Sequence, residues 1–205
     1  LRAGSFLLSP SSSLIQLASQ LRHDDGAHSL IKVTIPEGFS IWELADTLTK
    51  KDIISSADDF VTYVQKEAKN RFISEFEFLR ESPVLTLEGY LFPDTYYFSK
   101  NSSHYRVVKT LLTEFSDQLL PLWNNAPSPK GSPKSRFNLH QVLTIASLIQ
   151  KEARHIPEMP TISSVFYNRL KKKMQLASDP TVVYALGKSY KDRVYYKDLK
   201  IDSPY

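Results

Sequence analysis

A glutamate that closes an apolar helix is the residue of this chain best placed to do chemistry. Asn138-x-x-Gln141 has the form of an N-cap and its N3 partner, and opens a helix expected to run to about Ala153. Its core stripe is Leu139, Val142, Leu143, Ala146 and Ile149. A second apolar line, Ile145, Leu148 and Ile149, stands seven, four and three positions before Glu152, so the carboxyl occupies a place where the pattern calls for another apolar side chain. It also lies in the last turn, at the negative end of the helix dipole. Desolvation and the dipole both favour the protonated carboxyl, the form a general acid needs. The competing account pairs Glu152 at the surface with Lys151, Arg154 or His155, and the pattern alone weighs the two evenly.

Two further groups follow. Pro160 to Leu170 predicts a helix with proline in its first turn. Asn168 and Arg169 at its end could face a sugar or a carboxylate, or simply begin the basic run to Lys173, an ordinary solvated helix end. Asp179, Pro180 and Gly187 read as N-cap, N1 and C′ of a compact helix. Capping alone accounts for Asp179; the functional alternative makes it a second carboxylate or a hydrogen-bond acceptor beside Glu152. His23, His28, His104, His140 and His155 lack metal-ligand spacing, and there is no Gly-rich phosphate loop, nucleophile-elbow serine or cysteine. No metal and no cofactor is therefore expected.

The elements that must position these groups belong to a chain of 205 residues, 41% hydrophobic and 12% aromatic, enough for one or two ordinary cores. Lys+Arg 26 against Asp+Glu 22 leaves a net charge of +4, which sets solubility and encounter rate without selecting a partner. Nucleic acid is not an expected partner, because the lysines are not interleaved with aromatics in an RNA-reading pattern. No apolar run reaches the roughly 18 to 20 residues that span a bilayer. Ser13 to Leu21 recurs as Ser40 to Leu48, each copy a predicted helix with a serine cap and each preceded by a β-like run, Ser5 to Leu8 and Ile31 to Ile35. Ser40-x-x-Glu43 is a capping box. Spacing then predicts helix from Ser55 to about Leu79 and from Ser103 to Leu120, with an exposed loop from Pro121 to Arg136. Between these helices lies Leu87 to Phe98, dense in aromatics and broken by Gly89 and Pro93, a packed turn or short strands.

Taken together, Leu87-Glu88-Gly89-Tyr90-Leu91-Phe92-Pro93-Asp94-Thr95-Tyr96, Ala146 to Ala153, Val165-Phe166-Tyr167-Asn168-Arg169-Leu170 and Ser178-Asp179-Pro180-Thr181-Val182 resemble, in order, the motifs of the YceG-like endolytic murein transglycosylases. The resemblance implies an α+β fold: a LysM-like region over residues 1–52, partial at its start, then a mainly helical catalytic domain with short strands over 53–205. It implies a bacterial enzyme anchored in the inner membrane and facing the periplasm or wall, its anchor outside this chain, cutting peptidoglycan glycan strands, with peptidoglycan synthases as partners. It makes Glu152 the catalytic carboxyl, the second glutamate of the family's Glu-x-Glu. Asp179, Thr181, Asn168, Gln175 and Tyr205 become candidates for orienting the sugar, and Tyr90 for stacking on it, although core packing is the simpler use of that ring. Gln150 and Ala177 depart from the family's usual glutamate and glutamine, which removes a charge and an amide contact. The sequence stops at Tyr205, inside the family's Pro-Tyr-Asn-Thr-Tyr stretch, so a piece ending there is expected to fold yet show weak activity. The alternatives are an inverting glycoside hydrolase using Glu152 and Asp179, and a non-catalytic glycan-binding scaffold.

Overall fold

The computed structural model describes residues 30–127, 136–187 and 194–200. The first copy of the repeat, the strand expected at Ser5 to Leu8, and Tyr205 lie outside the described residues. What is described is α+β: mostly helix, with one two-stranded antiparallel sheet.

Strand β1 (Ile31–Thr34) pairs with β2 (Thr95–Phe98) in the register Ile31 to Phe98 and Val33 to Tyr96. Alternation decides the faces: Val33, Tyr96 and Phe98 are buried, whereas Lys32 and Tyr97 point outward. The chain leaves β1 through Pro36 to Gly38, where Gly38 has φ +78, a conformation glycine adopts without the Cβ penalty. Helix α1 (Ile41–Lys50) then starts on the capping box expected from the sequence. The Ser40 amide donates to Glu43 Oε2 at 2.8 Å and the Glu43 amide to Ser40 Oγ at 3.3 Å. Ile41, Leu44, Ala45 and Leu48 form its buried stripe.

The single helix expected from Ser55 to Leu79 is three pieces: α2 (Ala57–Lys66), α3 (Ala68–Phe72) and a 3-10 turn at Glu77–Glu81. Its buried residues, Phe60, Val64, Ala68, Phe72, Phe76 and Leu79, recur mostly every fourth position. In a straight helix each such step overshoots a full turn by about 40°, so the line would swing away from the core within a few steps. Breaking the helix returns each residue to the same core. Lys69 helps hold the bend: buried among these pieces, its ammonium donates to the Ser82 carbonyl and, at 2.8 Å, to the Val84 carbonyl.

Helix α4 (His104–Asn125) is capped by Ser103 and buries Val107, Val108, Leu111, Leu112 and Phe115. It runs one turn beyond the expected end, with Pro121 inside it. Leu119, Leu120 and Trp123 pack against the core there, and that burial outweighs the hydrogen bond the proline cannot donate. These elements, from β1 to the first residue of the next helix, share one hydrophobic cluster, so residues on both sides of position 52 contribute to a single core.

Helix α5 (Leu139–Glu152) begins on the expected Asn138–Gln141 capping box. Two contacts fix this end. The Leu139 amide donates to Glu81 Oε2 at 3.1 Å, and the Tyr90 hydroxyl lies 3.0 Å from His140 Nδ1. Burial pushes the Tyr90 hydroxyl up to about 12 and His140 down, with Lys69 adding to the latter, so this pair is held neutral. Beyond it come a 3-10 turn at Ile156–Glu158, α6 (Met159–Lys171), α7 (Asp179–Ala185) and a 3-10 turn at Asp198–Lys200. A second cluster, Ile145, Leu148 and Phe166 with Ile149, Ile162, Tyr167, Leu170 and Leu176 around it, joins α5 to α6 and to the approach to α7. Ala146, expected in the stripe of α5, is exposed; the helix faces this second cluster through Ile145 and Leu148, and position 146 turns away from it.

Candidate active site

Glu152 is the last residue of α5. Its side chain is exposed, contrary to the burial expected from the apolar line behind it. The line ends one turn early: Ile145 and Leu148 are buried and Ile149 half-buried, and the carboxyl emerges past the edge of the small cluster. The surface pairing that competed with a chemical role is also missing. Lys151 Nζ lies 3.8 Å from Glu43 Oε2, and the Arg154 and His155 amides donate to Glu158 Oε2 at 3.1 and 3.3 Å. Among the described residues no ion pair involves Glu152.

What holds Glu152 is Ser178, whose hydroxyl donates to Glu152 Oε1 at 2.6 Å. Ser178 is buried, 4% exposed, and stands at the N-cap of α7 without capping it. The helix therefore begins one residue earlier than the sequence suggests, with Asp179 as its first residue and Pro180 in its first turn, and Asp179 is exposed. The exchange has a physical basis: a serine hydroxyl can serve either its own helix or a distant acceptor, and a carboxylate is the stronger acceptor. Ala177 makes the geometry possible by taking φ +49, a left-handed conformation that costs an alanine about 1 kcal/mol or more. Thr181 reinforces the turn, its hydroxyl donating to the Ser178 carbonyl at 2.7 Å. One oxygen of Glu152 is thus fixed and the carboxyl oriented, while the group stays open to a large substrate.

The other candidates divide. Thr181 and Asp179 flank Ser178 and so belong to the same corner. Asn168 and Gln175 are exposed on the end of α6 and the loop after it. Arg169 is not turned to substrate: its guanidinium donates to the Leu176 carbonyl and ties down that loop. Tyr90 is 1% exposed, its ring against Phe78 and Phe115, which corrects the expectation of a sugar-stacking face: it is a core residue that anchors the start of α5. Among the described residues no group of three or more His, Asp and Glu side chains converges as a metal site would require.

A third contact set was invisible in the sequence. The N-terminus of α1 is seated against the last turn of α5: a Cβ on Gly38 would lie 3.2 Å from Gln150 Cγ, and the Lys151 and Glu43 pair follows directly. Beside it the Ile41 amide donates to both oxygens of Glu88, at 3.2 and 3.3 Å. Burial raises the Glu88 carboxyl from its ordinary value to about 7, opposed by the Ile41 amide and the Lys151 charge and assisted by Glu43. Trp42 of α1 meets Tyr184 of α7 edge to face, centroids 5.9 Å apart. Helices α1, α5 and α7 therefore close a ring of contacts around the end that carries Glu152.

The sequence profile of the YceG-like family matches residues 1–205. This chain belongs to the YceG-like family. It is 37% identical over 183 residues to a protein of Bacillus subtilis (strain 168) named endolytic murein transglycosylase, covering 85% of this chain and 48% of that protein. A protein of the same name from Streptococcus pneumoniae serotype 2 (strain D39) is 30% identical over 226 residues, covering 100% of this chain and 40% of that one. The chain thus spans about half or less of the length of these YceG-like relatives. A 2.6 Å crystal structure of a yceG-like protein from Listeria monocytogenes superposes with TM-score 0.74 at 30% identity, covering all of this chain and 67% of that one.

Proposed function

We propose that this YceG-like chain carries the active centre of an endolytic murein transglycosylase that cuts the β-1,4 bond between N-acetylmuramic acid and N-acetylglucosamine within peptidoglycan strands. The observation that supports this most is Glu152: exposed, outside every described ion pair, and oriented by a buried serine at 2.6 Å. The name shared by the Bacillus and Streptococcus relatives supplies the substrate class.

In this account Glu152, protonated, gives its proton to the bridging oxygen as the bond to C1 of the muramyl sugar breaks, releasing the 4-hydroxyl of the next sugar. The resulting carboxylate then takes the proton of the muramyl C6 hydroxyl, whose oxygen bonds to C1 and closes a 1,6-anhydro ring. Water is neither consumed nor released, and Glu152 ends protonated, as it began. Ser178 holds Oε1, which leaves Oε2 to face the reacting oxygens in both steps. Asp179, Thr181, Asn168 and Gln175 would line the sugar path, joined by Tyr205. Residues 1–52 would serve as the LysM-like part and 53–205 as the catalytic part. The enzyme would act outside the cytoplasm beside peptidoglycan synthases, anchored in the membrane by a segment outside this chain. No helix among the described residues is long and apolar enough to cross a membrane.

The test is cleavage of uncrosslinked glycan strands by the intact protein in ¹⁸O-labelled water. Anhydro-ended products without label are expected. Reducing ends carrying one ¹⁸O would replace this reading with a hydrolase in which Asp179 activates water, and binding without any cleavage would leave a glycan-binding scaffold.

A further inference from the structure

We infer that Glu88 is a positioning residue for Glu152, acting through the N-terminus of α1 and Lys151. The inference rests on the transglycosylase reading for its kinetic consequence; the seating of α1 between Glu88 and the last turn of α5 stands without it.

Glu88 sits in the aromatic segment before β2, remote in sequence from both α1 and α5, yet its carboxyl holds the start of α1, which is itself seated on the last turn of α5. It receives the first amide of α1, Ile41, on both oxygens, and the Thr86 hydroxyl, accepting from the Glu88 amide at 3.1 Å, fixes its backbone. The charges that act on it are Glu43 on α1 and Lys151 on α5. Glu43 is already committed to the Ser40 amide and hydroxyl, each at 2.8 Å, and lies 3.8 Å from Lys151. Lys151, the residue immediately before Glu152, therefore pairs with Glu43 and adds its positive charge to the surroundings of Glu88. Ionised Glu88 draws Lys151 and the α1 N-terminus together, and Gly38 lets the turn before α1 close on Gln150. Neutral Glu88 keeps an acceptor for Ile41 but loses its pull on Lys151. A structural carboxylate would be expected to gain from ionising in its site. Glu88 instead stays half-buried at a junction where burial opposes its charge, the kind of locally unfavourable arrangement found where a site needs orientation.

The experiment follows the amides of Ile41, Lys151 and Glu152 by NMR from pH 5 to 9 in the intact protein and in Glu88→Gln, with glycan cleavage measured over the same range. The expected result is a titration step near neutrality at all three amides that Glu88→Gln removes. In cleavage, kcat of Glu88→Gln matches the parent below pH 6 and falls behind it roughly tenfold above pH 8, with KM little changed. An Ile41 step without any Glu88-dependent step at Lys151 or Glu152 overturns the inference, as does a Glu88→Gln protein with an unaltered kcat profile. A parent protein without cleavage would overturn the transglycosylase reading instead, and the amide titrations would still decide the contact.

Discussion

The two hydrophobic clusters of this protein are built to different standards. The large one takes side chains from both strands, from α1 to α4 and from the first residue of α5, and many of them, including Phe60, Phe72, Leu79 and Leu111, have no exposure at all. The small one buries only Ile145, Leu148 and Phe166 among its described members, each at 5–8% exposure. Helix α5 passes from one to the other, and Glu152 emerges at the far end of the small cluster. Where apolar burial is thin, polar contacts take over: Ser178 on Glu152, Arg169 on the Leu176 carbonyl, Glu43 near Lys151. A stable platform thus holds one end of α5, while the end that carries Glu152 is oriented by directional bonds that a large ligand can reach. Enzymes draw their working parts from such less stable regions.

Several substitutions break or sharpen this contrast. Phe72→Ala in the large cluster should cost about 3–5 kcal/mol of global stability, read as a lower urea midpoint. Phe166→Ala should instead speed amide exchange in α6 and the second half of α5 while leaving α1 to α4 protected. An equal loss of protection in both regions would mean that the two clusters unfold as one.

Glu88 separates stability from function. Its carboxyl stands near 7 in the fold against an ordinary 4.5. Below about 4.5 it is neutral folded and unfolded, and its contribution is fully present; that contribution fades between 4.5 and 7 and is gone above. The folded protein should therefore lose up to about 3 kcal/mol relative to Glu88→Gln between pH 4 and pH 8, seen in chemical denaturation at the two pH values. A variant more stable at pH 8 and yet slower is the signature of positioning; a variant less stable there would contradict it.

Smaller effects are expected at the corner beside Glu152. Ser178→Ala should lower kcat about tenfold, in keeping with one charge-assisted hydrogen bond worth roughly 1.5 kcal/mol or more, with thermal stability nearly unchanged. Ala177→Gly removes the left-handed penalty and should raise stability by up to about 1 kcal/mol, visible as a higher melting temperature.

Much of the frame was legible in the sequence because it is local. The capping boxes at Ser40 and Asn138 mark helix starts where the structure has them, and the alternation of Ile31 to Ile35 gives the inward face of β1. Glu152 stood out as a candidate because a carboxyl interrupts an apolar line at helical spacing. What escaped depends on distant partners. Ser178 had no role in the sequence beyond preceding the expected cap at Asp179, and only the fold reveals that its hydroxyl crosses 26 positions to Glu152. Glu88 lay among aromatics with no local sign that Ile41, 47 positions away, would claim it. The exposure of Glu152 and the breaking of the helix after Ser55 were missed for a common reason: periodicity tells which side chains share a face, not how far the neighbouring element extends to cover it.

The most direct test of the account compares the intact protein with Glu152→Gln on the same glycan strands, with melting temperature as the control. General acid–base catalysis contributes about 10²- to 10⁴-fold, so the account predicts that anhydro-ended products fall by at least about a hundredfold while the melting temperature stays put. Undiminished anhydro product from a folded Glu152→Gln protein would contradict it.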